Sequence, residues 1–507
     1  MDSLRPDTII LNWLLTLPFF AAACAALFPR LSFPGHSEAE LESLRRGPFL
    51  LGALASLMGV GLSVSLLPTA MGANPLTADY WWTRDLYHLR FQADAFSAVL
   101  LIAVFGIGGL IHMYLAGLPL EKQSHFQAAL LLGAQGSAAA ACASADAIVL
   151  VFFLELTLVC LWLLVLPGEA RAANGMLAAG YVGGLILLGG VLAMWRRGGD
   201  SSLAALPLLL VASEPRVLQT MAALVLLGAL PKMAALPGHG WLSDVVGGAP
   251  RLALAPALLL PLAGGAALLR LLPGTLVLQS VPGVAAVALL LGIASLWWGA
   301  MRAWMAQTLG AMAAWLMVAQ AGVLLIALGA AASTRASSEP AAAALQLLVG
   351  PGAAAAVWLG AGVIRGRLGT DRIEDLGGSC WAVPLAAAGI LLGGLSLAGV
   401  PPLPGFYVQK LLVSGMLQSG RVWFVVVLLA GDVLVAVAVV DALRRMLGLG
   451  EARGGARWDS SWLSASVLMA VLALGAGAVW AGPLVGWART VVYTLFSISR
   501  SAFAGSI

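Results

Sequence analysis

Charge is what this sequence has least of. Asp, Glu, Lys and Arg make up 10% of its 507 residues, 61% are hydrophobic, and the mean hydropathy is +0.96. Soluble domains carry roughly 25% charged residues, so this composition excludes a soluble domain of any size. Cysteine and histidine are nearly as sparse. Cys24, Cys142, Cys160 and Cys380 form no CxxC or Cys/His pairing, and they read as small core residues. The five histidines are scattered, and neither a GxGxxG turn nor a GxxxxGK[ST] loop occurs. No metal, haem, flavin or nucleotide is therefore expected in this chain, and any redox chemistry belongs to a partner. The net charge of +4 is spread over short loops with no basic cluster among aromatics, which argues against a nucleic-acid partner. The alternating ten-residue pattern of a membrane barrel is missing as well. What remains is an all-α polytopic membrane protein, because lipid forces backbone groups to pair within each helix.

The apolar sequence comes in runs of the length that a bilayer core demands. They place spans near 9–28, 48–67, 95–115, 126–144, 147–166, 175–195 and 219–242, then near 252–272, 277–299, 303–330, 341–364, 382–417, 422–443 and 462–488, about fourteen in all. The first run is long and follows Asp2 and Asp7, so it reads as a helix and not as a cleaved signal. Between Pro75 and Asp94, the cluster of Tyr80, Trp81, Trp82, Tyr87 and Arg90 suits a hairpin at headgroup level. The stretch from Arg365 to Asp375 reads as an ordinary solvated loop.

Two spans are interrupted, the seventh by Pro231 and Pro237-Gly238, the twelfth by Pro401-Pro402 and Pro404-Gly405. Irregular backbone at membrane depth is tolerated where it is buried in protein or lines a wet cavity, so both breaks point to a transport path. Each falls in the fourth helix of a five-helix set, spans 4–8 and 9–13, with a lysine nearby, Lys232 and Lys410. An odd number of helices per set makes the second inverted relative to the first. The expected organisation is N-terminal helices and hairpin over 1–120, repeats over 121–275 and 276–450, and a C-terminal helix and tail over 451–507, too short for a long lateral helix. Loops after odd-numbered spans hold 14 Lys/Arg against 11 in the other loops and tails, which puts the odd loops in the cytoplasm and both termini opposite.

Ionisable residues inside such runs are expensive and mark function by default. Glu155 lies mid-run in VFFLELTLVCLWLL, where an ionised carboxylate costs roughly 2.5 kcal/mol or more on insertion scales. Lys232 directly follows Pro231. Within about 4 Å of each other, the two would attract by about 4 kcal/mol at an effective dielectric of about 20, enough to keep both charged. Drawing them apart would let the lysine release a proton and the carboxylate take one up, which is a pump element. The structural alternatives are a protonated Glu155 bonded to a neighbouring helix and a Lys232 that snorkels to the interface. Asp432, in LLAGDVLVAVAVVDALRRML, is balanced between a functional and a structural role, whereas Asp441 reads as a local partner of Arg444 and Arg445. His112, near the end of the third span, is either a proton carrier or a satisfied interfacial histidine.

The segment LPKMAALPGHGWLSDVVGGAP (230–250) resembles the seventh-helix signature of the antiporter-like proton-channel subunits of respiratory complex I and of their relatives in hydrogenases, cation/proton antiporters and inorganic-carbon uptake systems. Lys232, Pro237, His239, Trp241, Leu242, Asp244 and Pro250 fall in place. The LEL segment at 154–156 is similar to the family's fifth helix, and IEDLGG with LSLAGVPPLPGF (373–378 and 395–406) to the entry into its broken twelfth helix. The resemblance covers about residues 90–450. It implies that Glu155 and Lys232 form the coupling pair, that His239 belongs to the same path, and that a twelfth-helix lysine handles a proton beyond it. It also implies other membrane subunits as partners, including paralogous antiporter-like ones, with protons or sodium as the ion, in a bacterial or archaeal inner membrane. The chain departs from the pattern in four places. Gln409 stands where the twelfth-helix lysine or glutamate is usual, with Lys410 one residue later, about 100° round a helix. Pro256 stands in place of an eighth-helix histidine, and Gly310 and Ala311 in place of a tenth-helix basic pair that Arg302 does not plainly replace. The expected function is a divergent proton-translocating subunit driven by a partner. The alternatives are a cation/proton antiporter or carbon-uptake subunit, and a scaffold subunit with decayed half-channels.

Overall fold

A computed structural model of the chain describes residues 6–27, 38–72, 76–83, 87–119, 124–205, 214–272, 281–331, 338–448 and 461–504. The first four helices are α1 (Pro6–Leu27), α2 (Glu38–Ala70), α3 (Ala95–Ala116) and α4 (Ser124–Ala143), and a hairpin of β1 (Leu76–Thr83) and β2 (Tyr87–Ala93) lies between α2 and α3. Next come α5 (Ala147–Val165), α6 (Ala170–Gly198), α7 (Pro215–Ala229), α8 (Gly240–Gly248), α9 (Leu254–Leu271), α10 (Pro282–Trp304), α11 (Leu309–Ala331) and α12 (Ser338–Leu368). The last six are α13 (Ser379–Ala382), α14 (Pro384–Leu397), α15 (Pro404–Gln418), α16 (Val422–Leu447), α17 (Ser461–Val479) and α18 (Ala481–Ala504).

Twelve of these helices are long and apolar enough to cross a membrane. The two spans read as broken are each divided, the seventh into α7 and α8 and the twelfth into α14 and α15. Among the described residues the expected spans correspond to twelve continuous helices and two divided ones, and the chain is a multi-pass membrane protein. The centre is α9, whose whole apolar window is buried, with α11 at 94%, while α17 at 28% lies outside. Aspartates start two of the helices that carry the site. Asp94 accepts from the Ser97 N–H at 2.8 Å to cap α3, and Asp146 accepts from Ile148 and Val149 to cap α5. The hairpin pairs antiparallel from Leu76↔Ala93 to Thr83↔Tyr87 and leads directly into the Asp94 cap.

Two expectations need correction. The C-terminal span does not run to 488: α17 ends at Val479, and α18 begins at Ala481 and remains helical to Ala504. Pro483 has no N–H to offer the Val479 carbonyl, so it ends one helix and sits comfortably in the first turn of the next. Nor is 365–375 an ordinary solvated loop. Arg365 lies in the last turn of α12 and pairs with the buried Asp371, whose Oδ2 also accepts from the Gly310 N–H at 3.2 Å. Backbone bonds from Leu309 to Asp371 and from Ile373 to Gln307 pin this connection to the start of α11. A carboxylate at a helix N-terminus is favoured, and a buried one needs a cation, which Arg365 supplies.

Candidate functional site

The first break begins where α7 runs into Pro231, which cannot continue the helix. The chain then turns through Ala234, a buried non-glycine residue in the left-handed region at φ 55°. The freed backbone groups find partners outside the helix. The Trp241 Nε1–H donates to the Pro231 carbonyl at 2.7 Å, and the Leu236 N–H donates to Ser295 Oγ on α10 at 3.1 Å. The tryptophan of the P-x-H-x-W stretch thus holds the break in shape, and Lys232 sits inside it.

Lys232 is completely buried, with Nζ 2.7 Å from Oε1 of Glu155 on α5. The Glu155 side chain is 24% exposed, but both of its carboxylate oxygens are buried, so the charged ends of the pair are both shut away from the outside. The ammonium and carboxylate touch, but their angles miss those of a directed hydrogen bond, and among the described residues no other group completes the bonding of Nζ, Oε1 or Oε2. The contact is therefore carried by charge. At 2.7 Å and an effective dielectric of about 20 the attraction is about 6 kcal/mol, set against the cost of removing both ions from water. Two glycines make the room. A Cβ at Gly184 on α6 would lie 2.5 Å from the Glu155 carboxyl carbon and closer still to Oε1, and one at Gly264 on α9 would lie 2.9 Å from Lys232 Cβ.

The other expected residues fall into separate groups. His239 follows the first break, half-buried, with its ring centroid 5.5 Å from that of Trp315 on α11. The Arg302 guanidinium lies 5.0 Å from the centre of the same indole, so the arginine set aside in the sequence does reach the break region. His112 is fully buried on α3, tilted against Phe49 of α2 at 6.2 Å, with neither ring nitrogen bonded among the described residues. Phe49 also lines a cavity of about 270 Å³ with Leu115, Leu118, Gln127, Pro250 and Arg251. At the second break, Gln409 on α15 is buried and Lys410 is exposed. The one-residue offset thus turns the amide, and not the amine, inward. Gln409 Nε2–H donates to Oδ1 of the buried Asp432 on α16 at 3.1 Å. Asp441 pairs with Arg444 and Arg445 at 2.9 and 3.0 Å.

Sequence reasoning missed several buried polar groups. Arg270, near the end of α9, makes a bidentate pair with Asp94 at 2.7 and 2.8 Å and lies over the Phe96 ring. Burial pushes the Asp94 carboxyl up, but the Arg270 guanidinium and the Ser97 hydrogen bonds outweigh it and hold the group below its usual value. Gln135 on α4 exchanges hydrogen bonds with Ser56 on α2 at 3.0 and 3.1 Å. Gln346 on α12 donates to Gln320 Oε1 on α11 at 2.7 Å, and Gln320 Nε2–H donates to the Leu397 carbonyl at 3.1 Å. Glu339 is buried at the start of α12 beside Ser338. A scan for lone amides inside apolar runs would have found the three glutamines. Asp94 and Arg270 sit at the ends of their runs, where charge is ordinary.

The family described as NADH:quinone oxidoreductase/Mrp antiporter, TM matches residues 144–434, which hold both breaks, the Glu155–Lys232 pair and Asp432. NADH-quinone oxidoreductase subunit N of Desulforudis audaxviator is 29% identical over 487 residues, covering 92% of this chain and 94% of its own length. NAD(P)H-quinone oxidoreductase subunit 2 of the organellar chromatophore of Paulinella chromatophora is 28% identical over 382 residues, 72% of this chain and 74% of that one. Among solved structures, a chain of the Mrp complex from Dietzia sp. superposes with a TM-score of 0.80 at 18% identity, covering 98% of this chain and 99% of that one. A chain of respiratory complex I from Thermus thermophilus with bound NADH gives 0.77 at 20% identity, covering 96% and 98%. At these identities the structural likeness is one of fold.

Proposed function

Because the chain belongs to the NADH:quinone oxidoreductase/Mrp antiporter membrane-subunit family, we propose that it is a proton-translocating, antiporter-like subunit of a multisubunit complex of the NADH:quinone oxidoreductase type. In this reading a partner carries the redox reaction and this chain, without a cofactor of its own, carries protons. The names of the relatives favour this parent over a free-standing exchanger. The neighbouring membrane subunits include paralogues of this chain, the membrane is a bacterial or archaeal inner membrane, and both termini lie on its non-cytoplasmic side. Protons are the ion, with sodium as the alternative cation.

The observation that carries the proposal is the 2.7 Å contact of Glu155 with a fully buried Lys232 at a broken helix. While the pair is closed, each ion is stabilised chiefly by the other. A shift of α5 or of the break that separates them leaves two uncompensated charges in an apolar surround, and the least costly response is neutralisation. The Lys232 ammonium gives its proton to an acceptor further along the path, with His239 at the far end of the break as a candidate. Glu155, whose side chain is the partly exposed member of the pair, takes one up. Closing the pair restores both charges. The cavity beside Phe49 and the buried His112 are the candidate intake on the N-terminal side. The exposure of Lys410 favours an altered outlet at the second break, one that does not use a lysine there.

Glu155→Gln keeps the shape and removes the charge. In the intact complex reconstituted into liposomes, the variant assembles normally, and proton uptake per turnover of the partner falls at least ten-fold. Uptake at the wild-type ratio would remove the pair from the mechanism.

A further inference from the structure

A line of side-chain amides runs from the interior of the molecule to the second break. Gln346 on α12 bonds Gln320 on α11, and Gln320 bonds the Leu397 carbonyl where α14 ends. Two residues on, Gly399 turns the chain at φ 70°, and a Cβ there would lie 2.5 Å from Gln409 Cγ, so the break itself seats the Gln409 side chain. Gln409 then bonds Asp432 on α16. Amides donate and accept hydrogen bonds but hold no extra proton near neutral pH. The one group at the end of this line that can hold a proton is the Asp432 carboxyl.

Its surroundings specify which charge state fits. Asp432 is 4% exposed and Gln409 6%. Asp432 Oδ2 and Gln409 Oε1 are both buried without a hydrogen-bond partner among the described residues. The titratable or charged groups on the elements packed about its helix are Arg302 on α10, Tyr407 and Lys410 on α15, Cys380 on α13, and Glu374 and Asp375 in the turn before α13, with Asp441, Arg444 and Arg445 further along α16 itself, while α11 and α14 carry none. Among the described residues none of these pairs with Asp432: Arg302 lies over Trp315, Lys410 is exposed, and Asp441 pairs with Arg444 and Arg445. An ionised carboxylate with one bare oxygen and no cation is the least favourable occupant of such a site. A neutral acid has an O–H to offer where the carboxylate has only acceptors.

We propose that Asp432, held by Gln409 at the second break, is a neutral carboxylic-acid proton site, and that it replaces an amine as the proton-bearing group at that end of the path. Gln409 is a positioning residue: it fixes Oδ1 and leaves Oδ2 as the oxygen that gains and loses the proton. One proton leaves Oδ2 and one returns to it in each cycle, with no change in oxidation state. The proposal rests on the proton-translocating reading for its place in a path, but the protonation state of Asp432 can be measured without it.

The test is infrared difference spectroscopy of the purified complex at neutral pH, together with proton uptake in liposomes. The expected result is a C=O stretch of a protonated carboxylic acid, shifted in D₂O, that is lost in Asp432→Asn and returns displaced in Asp432→Glu. Gln409→Leu shifts its frequency, and Lys410→Met leaves it in place. Asp432→Asn also lowers proton uptake per turnover at least ten-fold. A wild-type spectrum from which Asp432→Asn removes no such band overturns the proposal, as does loss of the band with uptake unchanged. If the band is present but the wild-type complex moves no protons, the proposed function fails while the neutral acid stands.

Discussion

Gly184→Ala tests the pair without touching either charge. An added Cβ at 184 lies 2.5 Å from the Glu155 carboxyl carbon, whereas ordinary carbon contacts begin near 3.4 Å, so the carboxylate must withdraw by about 1 Å. Glu155 is a flexible side chain, and it gives way more easily than the packed backbone of α6. If it withdraws along the line to Lys232 Nζ, the separation grows from 2.7 Å to about 3.7 Å. At an effective dielectric of about 20 the attraction then falls by about 1.7 kcal/mol, roughly a fifteen-fold shift against the closed pair. The assay is proton uptake per partner turnover in liposomes, alongside thermal unfolding of the complex. The expectation is a lowered uptake ratio, a lower unfolding temperature, and little further effect of Gly184→Ala in a Glu155→Gln background, where the contact being disturbed is already gone. Wild-type uptake and stability in Gly184→Ala would refute the reasoning, because they would show that the contact distance does not matter.

Two further predictions concern what holds the site in place. Arg270→Ala leaves Asp94 buried without its cation and costs about 3–5 kcal/mol, read as a drop in unfolding temperature. Because the folded Asp94 carboxyl lies below its unfolded value, this contribution is present above the unfolded value near 3.9 and is lost only as pH falls through the lower folded one. The gap between wild type and variant should therefore persist at pH 5, and a gap that closes there would contradict the assignment. Trp241→Phe removes the indole donor from the Pro231 carbonyl, which still accepts from the Ala234 N–H, and costs about 0.5–1.5 kcal/mol, with a fall in uptake because the break carries Lys232. Unchanged stability would mean that the indole bond does not support the break.

Much of this molecule was legible because lipid leaves a sequence few choices. A run of about twenty apolar residues must be a helix, and the observed elements begin and end within a few residues of most of the runs. Pro231, Pro237, Pro401, Pro402 and Pro404 marked both breaks, since a proline that lacks an N–H disrupts a helix wherever it stands. Glu155, Lys232 and Asp432 were visible because each is a costly exception inside an apolar run. Legibility failed at the ends of runs, where charge is cheap. Asp94, Arg270, Arg365 and Asp371 looked like interfacial or loop residues until packing brought them together across the fold.

The sequence by itself determined the solvent, the helices, the positions of the breaks and the short list of residues that can hold a proton, because these depend on local composition and on the fixed cost of burying polar groups. Contact between Glu155 and Lys232, 77 residues apart in the chain, was decided by tertiary packing, through the space that Gly184 and Gly264 leave open. The second break depended on packing in the same way: the sequence offered Gln409 and Lys410 side by side, and only the docking of α15 against α16 turned the amide inward and the amine out. One residue is about 100° on a helix, so which neighbour enters the site is a question of helix rotation, and rotation is set by the partner surface.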